Sequence, residues 1–315
     1  MRLVLRDLGA CLNKKKILSY SILFLVLYFF SKFISENRSI LENFKSIDLS
    51  NFILFLLFNL LNMLIRTYIN IYLFRSLDVS LQFKEAFELV YKNTIGNLIG
   101  PLKAGSGYKL HYINKHYKVP ASQYISLNTA YSLLSLVLNL FILFISLIIV
   151  RDFNYFNKYY FLFIFIGLLM SLFIFYKILI IVGRNTKIKI LKSFSSGFVS
   201  MFRYTWNFTF LATVTFLFIL LNIFTLFIAF RIFDFNVTLL NSTIYSSIGS
   251  FTSIAKITPG NIGLYEFLMI SSNAFHGVNV EEILVSSIFL RAISYLLLFL
   301  LYLLSRIRYL FQRAK

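Results

Sequence analysis

The chain has 315 residues, of which 59% are apolar and 14% charged, and its formal net charge is +19. Soluble domains are usually about 45–50% apolar and about 25% charged, so this composition excludes an ordinary soluble protein. The basic residues gather in the short segments between apolar runs, which indicates membrane orientation and contact with anionic headgroups, not nucleic-acid binding.

The N-terminal region contains a basic stretch and an apolar run, with no small-residue cleavage site after it. This pattern predicts an uncleaved first span and not a signal peptide. Cys11 is the single cysteine, so no internal disulfide is possible. His111 and His116 have no acidic or cysteine neighbour at ligand spacing, and neither a metal site nor a cofactor is predicted.

Six apolar runs are each long enough to cross a bilayer as a helix. They lie at about 17–35, 52–74, 121–150, 159–182, 206–230 and 283–304. The Lys and Arg content of the connecting segments alternates, and the positive-inside rule then predicts two groups of segments. Both termini, 75–120 and 184–203 are predicted to be cytoplasmic, and 36–50, 151–158 and 231–238 to be external.

Two regions remain, 81–118 and 239–282, and each must cross the membrane an even number of times. Each holds two moderately apolar pieces joined by a Pro/Gly break, so each is either a re-entrant hairpin of half-helices or a full pair of spans. The sequence therefore predicts a single integral membrane domain over 1–315. Its fold class is an all-α polytopic membrane protein with six clear spans and two broken hairpins, about eight membrane segments.

The two breaks are similar to each other. Pro101 is followed four residues later by Gly105, and Pro259, with Gly260 next to it, is followed by Gly263. Because one region begins inside and the other outside, the pattern indicates an inverted repeat with units of about 81–150 and 239–305. Inverted repeats with broken helices are typical of secondary transporters. The alternative is a chance similarity between loops that join ordinary spans.

Polar residues share one helical face in two of the spans. Each stripe favours either a polar cavity or hydrogen bonds between helices. The first contains Asn59, Asn62, Arg66 and Asn70, and the second contains Asn128, Ser132, Ser135 and Asn139.

Several cations lie at or near the predicted membrane interior, where an arginine is costly unless it faces the protein. We expect them to bind an anionic headgroup, with Glu266 paired to one of them when the site is empty. They are Arg66, Lys103, Lys109, Lys256 and Arg291.

Only twelve acidic residues are present, and no Asp-x-Asp motif, phosphate loop or Ser/His/Asp set appears. We therefore expect the protein not to be an enzyme. A membrane glycosyltransferase using Glu36 or Asp48 remains the weakest alternative. A second alternative is a non-transporting accessory protein of envelope polysaccharide or lipid biosynthesis, which would dock partner proteins through its basic loops.

The broken segments resemble the flippase-like membrane region of lysylphosphatidylglycerol synthases and their stand-alone relatives. In that family the first motif looks like Pro-x-Arg-x-Gly-Glu-x-x-Arg and the second like Pro-Gly-Gly-x-Gly-x-x-Glu. An arginine in the last span, here Arg291, is also usual. The departures are Ser106 in place of glutamate and Asn261 in place of glycine. Lys103 and Lys109 stand at the two arginine positions of the first motif and keep the positive charge. The matching positions are Pro101, Lys103, Gly105, Lys109, Pro259, Gly260, Gly263 and Glu266.

This resemblance implies a protein that moves or handles lipids across the cytoplasmic membrane. The expected function is a flippase-like transporter or handler of an anionic phospholipid or a polyprenyl-phosphate-linked glycan. Because the chain ends soon after the last predicted span, no aminoacyl-transferase domain is expected. The abundance of Phe, Ile, Lys and Asn favours a bacterial source and a bacterial cytoplasmic membrane location, with both termini cytoplasmic.

Overall fold

A computed structural model describes residues 47–99, 104–149, 185–252, 261, 263–271 and 278–313, together with several positions between 163 and 181. Within these residues the fold is all-helical and contains no strand. We number the helices along the chain. They are α1 Leu49–Arg75, α2 Phe83–Ile99, α3 Ala104–Tyr117, α4 Ala121–Ile149, α5 Lys189–Ser200, α6 Thr205–Arg231, α7 Leu239–Ser250, α8 Leu264–Ser271 and α9 Val280–Arg313.

Four of the described helices are long and apolar enough to cross a membrane: α1, α4, α6 and the Val280–Leu301 part of α9. They confirm the spans predicted at 52–74, 121–150, 206–230 and 283–304. The predicted span at 17–35 lies outside the described residues. So does most of 159–182, although every described position in that range is helical. The chain is therefore a multi-pass membrane protein.

α1 and α6 pack against each other in antiparallel directions, and each caps the other's C-terminal end. At one end Asn51 Nδ2 donates to the Arg231 carbonyl at 3.5 Å. At the other end Asn207 Nδ2 donates to the Tyr72 carbonyl at 3.1 Å and to Ser76 Oγ at 2.9 Å. The last carbonyls of a helix have no partner within it, so an amide from a neighbouring helix satisfies them. The contact is thus reciprocal at both ends of the pair.

The same turn follows both helices of this pair. The chain reads FRSLD from Phe74 and FRIFD from Phe230, and the final aspartate of each turn is left-handed, with φ of 59° at Asp78 and 58° at Asp234. In each turn the amide after the aspartate donates to the phenylalanine carbonyl at 3.2 Å. Aspartate is one of the few residues other than glycine that adopt this conformation readily. The two turns are separated along the sequence by the same number of residues as Asn51 and Asn207.

Two pairs of shorter helices follow these turns, α2 with α3 and α7 with α8. Glycine allows close packing in both pairs. A Cβ added at Gly105 would lie 1.9 Å from the Asn93 carbonyl oxygen, and one at Gly249 would lie 2.4 Å from Cε2 of Tyr265. Residue counts of 12 for α7 and 8 for α8 correspond to lengths of about 18 and 12 Å, well short of the ~30 Å hydrocarbon core.

The structure places the two predicted break glycines differently. Gly105 is the second residue of α3, where it permits the close approach to α2. Gly263 precedes α8 directly with φ of 85°, and Asn261 is also left-handed with φ of 58°. The second break therefore depends on backbone conformation at the glycine, whereas the described role of the first glycine is packing. Pro101, Pro259 and Gly260 lie outside the described residues.

Candidate functional site: a cationic cavity between the spans

A cavity of about 360 Å³ lies between α1, α2, α4, α6, α7, α8 and α9. Most of its polar lining consists of amide and hydroxyl side chains, and two arginines contribute to it. None of the described carboxylates lines it. The polar residues are Asn59, Asn62, Arg66, Thr94, Ser135, Asn139, Asn222, Thr225, Ser246, Ser250, Thr252, Asn261, Tyr265, Arg291, Ser294 and Tyr295.

Arg66 lies at the centre of the inward face of α1, between Asn62 and Ile69, which are both buried. Its side chain is nevertheless exposed, because it faces the cavity and not a packed helix. The guanidinium carbon lies 5.1 Å from the ring centroid of Phe218 on α6. Among the described residues no carboxylate forms an ion pair with Arg66. The cavity therefore holds a cation without a protein counter-ion within the described structure.

Arg291 on α9 is held from three directions. Its Nη1 lies 3.2 Å from Glu266 Oε1, and the two side chains are only 12% and 13% exposed. Its Nη2 donates to the Asn261 carbonyl at 3.2 Å. Its guanidinium carbon lies 4.5 Å from the ring centroid of Tyr265. This ion pair gives the expected partner of Glu266: it is Arg291 and not Arg66.

Glu266 uses its second oxygen to cap a helix. Oε2 accepts the Gly263 amide at 2.8 Å, and the carbonyl of Gly263 accepts the Phe267 amide at 2.9 Å. This is the glutamate half of a capping box, in which the third residue of the helix reaches back to the residue before it. The start of α8 is thereby connected to Arg291 through one carboxylate.

α1 and α9 run in the same direction beside the cavity. The rings of Phe55 and Phe289 lie 5.4 Å apart, and further along both helices Ser294 Oγ donates to Asn59 Oδ1 at 2.6 Å. Successive contacts that advance together on both helices define a parallel pair.

The two cavity arginines therefore stand at different depths. Arg66 is seven residues beyond Asn59 and Arg291 is three residues before Ser294, which separates them by about 15 Å along the helix axes. Tyr295, one residue beyond Ser294 on α9, lines the cavity at a level between the two arginines. The two arginines therefore lie at two different levels along the axes of α1 and α9.

Lys109 is buried, with 6% of its surface exposed, but does not line the cavity. Its Nζ binds Asn70 Oδ1 and lies 4.9 Å from the ring centroid of Phe74. Asn70 Nδ2 in turn donates to the Arg66 carbonyl at 2.8 Å. Lys109 therefore contacts α1 one turn beyond Arg66, outside the cavity. Lys103 and Lys256 lie outside the described residues.

The family model described as "Lysylphosphatidylglycerol synthase TM region" matches residues 16–301. The chain belongs to the lysylphosphatidylglycerol synthase TM region family. A sequence search of curated proteins finds no match. Family membership confirms the resemblance read from the two broken segments, and it agrees with the membrane-spanning helices of the structure.

One departure from the first motif of the lysylphosphatidylglycerol synthase TM region family has a structural substitute in this chain. Ser106 stands where glutamate is usual, and its amide donates to Asn97 Oδ1 at 3.1 Å. Asn97 belongs to α2, so an amide from the first half of the hairpin caps the start of the second half. No charge is needed for this contact.

A tyrosine pair closes the other end of this hairpin. Tyr112 and Tyr117 on α3 donate to Glu85 at the start of α2, at 2.9 and 2.7 Å. Burial of the hydroxyl, reinforced by the hydrogen bond to Glu85, raises the pKa of Tyr112 to about 12. Burial and the hydrogen bond to Glu85 also raise the pKa of Tyr117, so both tyrosines remain protonated donors near neutral pH.

The two polar stripes, on α1 and α4, differ in their roles. The sequence left open whether each lines a cavity or forms hydrogen bonds between helices. Asn62 Nδ2 donates to Thr225 Oγ1 at 3.1 Å, across from α1 to α6. On α4, Asn128 and Ser132 donate instead to carbonyls four residues earlier in their own helix, at 2.8 and 2.9 Å. The α1 stripe therefore both lines the cavity and joins helices, whereas Asn128 and Ser132 have no role between helices in the described hydrogen bonds.

Several cavity residues were not identified from the sequence, and Asn222 is the clearest of them. It occupies on α6 the position that Arg66 occupies on α1, if the two FRxxD turns are aligned. That repeated motif was the signal that could have located it. The others, including Tyr265 and Tyr295, have no sequence signal, because aromatic residues are common throughout these spans.

Proposed function

We propose that this protein is a flippase-like transporter that binds an anionic lipid headgroup in the cavity between its spans. The candidate lipids are an anionic phospholipid and a polyprenyl-phosphate-linked glycan. The family description refers to lysylphosphatidylglycerol synthase, which favours a phospholipid. The observation that carries the proposal is Arg66, which lines the cavity and has no described carboxylate partner.

The free-energy cost of inserting an arginine into a membrane supports a ligand beside Arg66, because a bound anion would offset that cost. An arginine at the centre of a span costs about 2.5–3.5 kcal/mol on insertion scales. Packing with Phe218 offsets part of this cost through a cation–π contact. A phosphate oxygen pair matches the fork of a guanidinium and would supply the missing negative charge.

The positions of the two cavity arginines support movement of the headgroup and not only its binding. Arg66 and Arg291 lie about 15 Å apart along the axes, roughly half of the hydrocarbon thickness. A phosphate passing from one to the other would cross the middle of the bilayer without leaving the polar cavity. At Arg291 it would compete with Glu266, so that arrival of the lipid weakens the connection between α9 and the start of α8.

An inverted repeat is part of this proposal. Its support is the antiparallel pair α1 and α6, the reciprocal amide caps, and the identical FRxxD turns before each short-helix pair. The units would be wider than the sequence alone indicated, about 49–149 and 205–301. Rocking of one such unit against the other is the usual basis of alternating access.

We further propose re-entrant hairpins for α2–α3 and α7–α8, since α7 and α8 are too short to cross the membrane separately. With the span predicted at 17–35, this arrangement keeps both termini cytoplasmic in a bacterial cytoplasmic membrane. We propose transport and not catalysis, because the described cavity offers cations and amides but no carboxylate for proton transfer.

Reconstitution tests the proposal. The full chain is placed in liposomes that contain acyl-labelled phosphatidylglycerol, and the fraction of label accessible to a membrane-impermeant quencher is followed over time. The protein should increase this fraction, and Arg66→Ala should reduce the rate at least tenfold. Arg75→Ala is the matched control, because Arg75 is on the same helix, packs on Tyr72 at 6.0 Å and does not line the cavity.

The proposal fails if accessibility is the same with and without protein, or if Arg66→Ala moves lipid at the rate of Arg75→Ala. If this protein moves no lipid but binds a soluble or membrane partner stably, the result would instead support the accessory role.

A further inference from the structure

The charges that line the cavity are positive. Both of the described charged side chains that line it are cationic, and the rest of the polar lining is amide or hydroxyl. Glu266 follows the cavity residue Tyr265 in α8, and both of its oxygens are engaged, one with Arg291 and one with the Gly263 amide. A second positive charge entering the cavity would find no free carboxylate among the described residues.

We propose that the cavity selects a lipid whose headgroup is a phosphate bearing an uncharged, hydroxyl-rich group such as glycerol, and discriminates against headgroups that carry an amine. This inference rests on the proposed function and specifies its substrate class. It separates this chain from what the family description suggests, because an aminoacylated lipid such as lysylphosphatidylglycerol carries amines.

The neutral part of the lining fits such a headgroup. Asn62 and Thr225, which are hydrogen-bonded to each other, both line the cavity. Asn222 and Ser246 add further groups that bind hydroxyls. Small-molecule sites usually measure about 300–1,000 Å³, and a volume of about 360 Å³ suits one small headgroup better than an oligosaccharide.

Repulsion between the cavity arginines and an ammonium group would discriminate against headgroups that carry an amine. An ammonium group in the cavity would lie close to Arg66 or Arg291 in a region of low dielectric, where repulsion between like charges is much stronger than in water. Selectivity commonly depends on such unfavourable contacts with the rejected ligand as well as on favourable contacts with the accepted one.

The test measures lipid binding to the detergent-solubilised full chain by native mass spectrometry. Three lipids with identical acyl chains are compared: phosphatidylglycerol, lysylphosphatidylglycerol and phosphatidic acid. We expect phosphatidylglycerol to bind with a Kd at least tenfold lower than that of lysylphosphatidylglycerol. Phosphatidic acid, which keeps the phosphate but lacks the glycerol hydroxyls, should lie between them.

Variants connect the preference to the cavity. Arg66→Ala should abolish the preference for phosphatidylglycerol, and Arg75→Ala should retain it. Asn222→Asp introduces a carboxylate into the lining and should narrow the gap between phosphatidylglycerol and lysylphosphatidylglycerol.

The outcomes separate this inference from the proposed function. If phosphatidylglycerol and lysylphosphatidylglycerol bind equally well, and both lose binding in Arg66→Ala, the anionic site stands and the selectivity proposal is overturned. If none of the three lipids binds in a manner that depends on Arg66, the proposed function fails and the selectivity proposal fails with it.

Discussion

Arg291 and Glu266 form an ion pair of 3.2 Å in which both side chains are almost buried. The same carboxylate caps α8 through the Gly263 amide, so the pair joins the last span to the start of a short helix. A buried pair is weak evidence for net stabilisation, because desolvation offsets the attraction, but loss of one partner leaves an uncompensated charge. Under the proposed function, this pair beside the cavity is the contact that an entering anion would change.

Removal of the Glu266 charge should therefore destabilise the empty protein and strengthen anion binding. Glu266→Gln keeps an oxygen for the Gly263 amide but leaves Arg291 without its counter-charge. Fully buried pairs lose about 3–5 kcal/mol in such variants, and we expect a smaller loss here because Arg291 also faces the cavity. Thermal unfolding by differential scanning fluorimetry, with and without phosphatidylglycerol, measures both effects.

The matched control for this variant is Glu88→Gln. Glu88 pairs with Lys92 at 3.1 Å, but the two side chains are 45% and 36% exposed, so its loss should change stability by only a few tenths of a kcal/mol. Equal shifts in the two variants, or no gain in lipid-induced stabilisation for Glu266→Gln, would contradict the role given to the Arg291 pair.

Arg66→Ala should separate function from stability. Because Arg66 has no described carboxylate partner, its removal breaks no ion pair, and the unfolding temperature should remain equal or increase. Transport should nevertheless be lost, as expected where a functional group is retained at a cost in stability. The measurement is the unfolding temperature of the same preparation that is used for transport. A large decrease would show that Arg66 is a structural residue.

Glycine substitutions on α3 test the close packing of α3 against α2. Gly105→Ala would place a Cβ 1.9 Å from a backbone oxygen of α2, which cannot move away as a flexible side chain can. We expect a loss of about 1–3 kcal/mol or failure to fold. Gly107→Ala on the same helix meets nothing within 4 Å and should be neutral or stabilising by up to about 1 kcal/mol. Unfolding temperatures of the two variants compare them directly, and similar values would refute the tight crossing.

Cysteine labelling tests the antiparallel pair and the sidedness of its ends. In a Cys11→Ser background, single cysteines at Asp78 and Arg203 should react with an impermeant reagent from one side of the membrane. These two residues contact each other at 3.3 Å. Cysteines at Asp48 and Asp234, at the other end of α1 and α6, should react from the opposite side. Labelling of all four positions from one side would exclude the proposed inversion.

Much of the architecture could be predicted because it depends on local properties of the chain. A run of about 20 apolar residues can satisfy its backbone in a bilayer only as a helix, so α1, α4, α6 and the first part of α9 were evident from composition. The inward position of Arg66 was also predictable, because a charge in a span must face the protein.

The tertiary structure decided which groups meet. Helical periodicity assigns a side chain to a face, but it does not say which helix covers that face. For this reason the sequence could not choose between Arg66 and Arg291 as the partner of Glu266. It also could not place Lys109 against Asn70 instead of in the cavity. These pairings depend on how α1, α6 and α9 cross, and the crossings are determined by packing between residues distant in sequence.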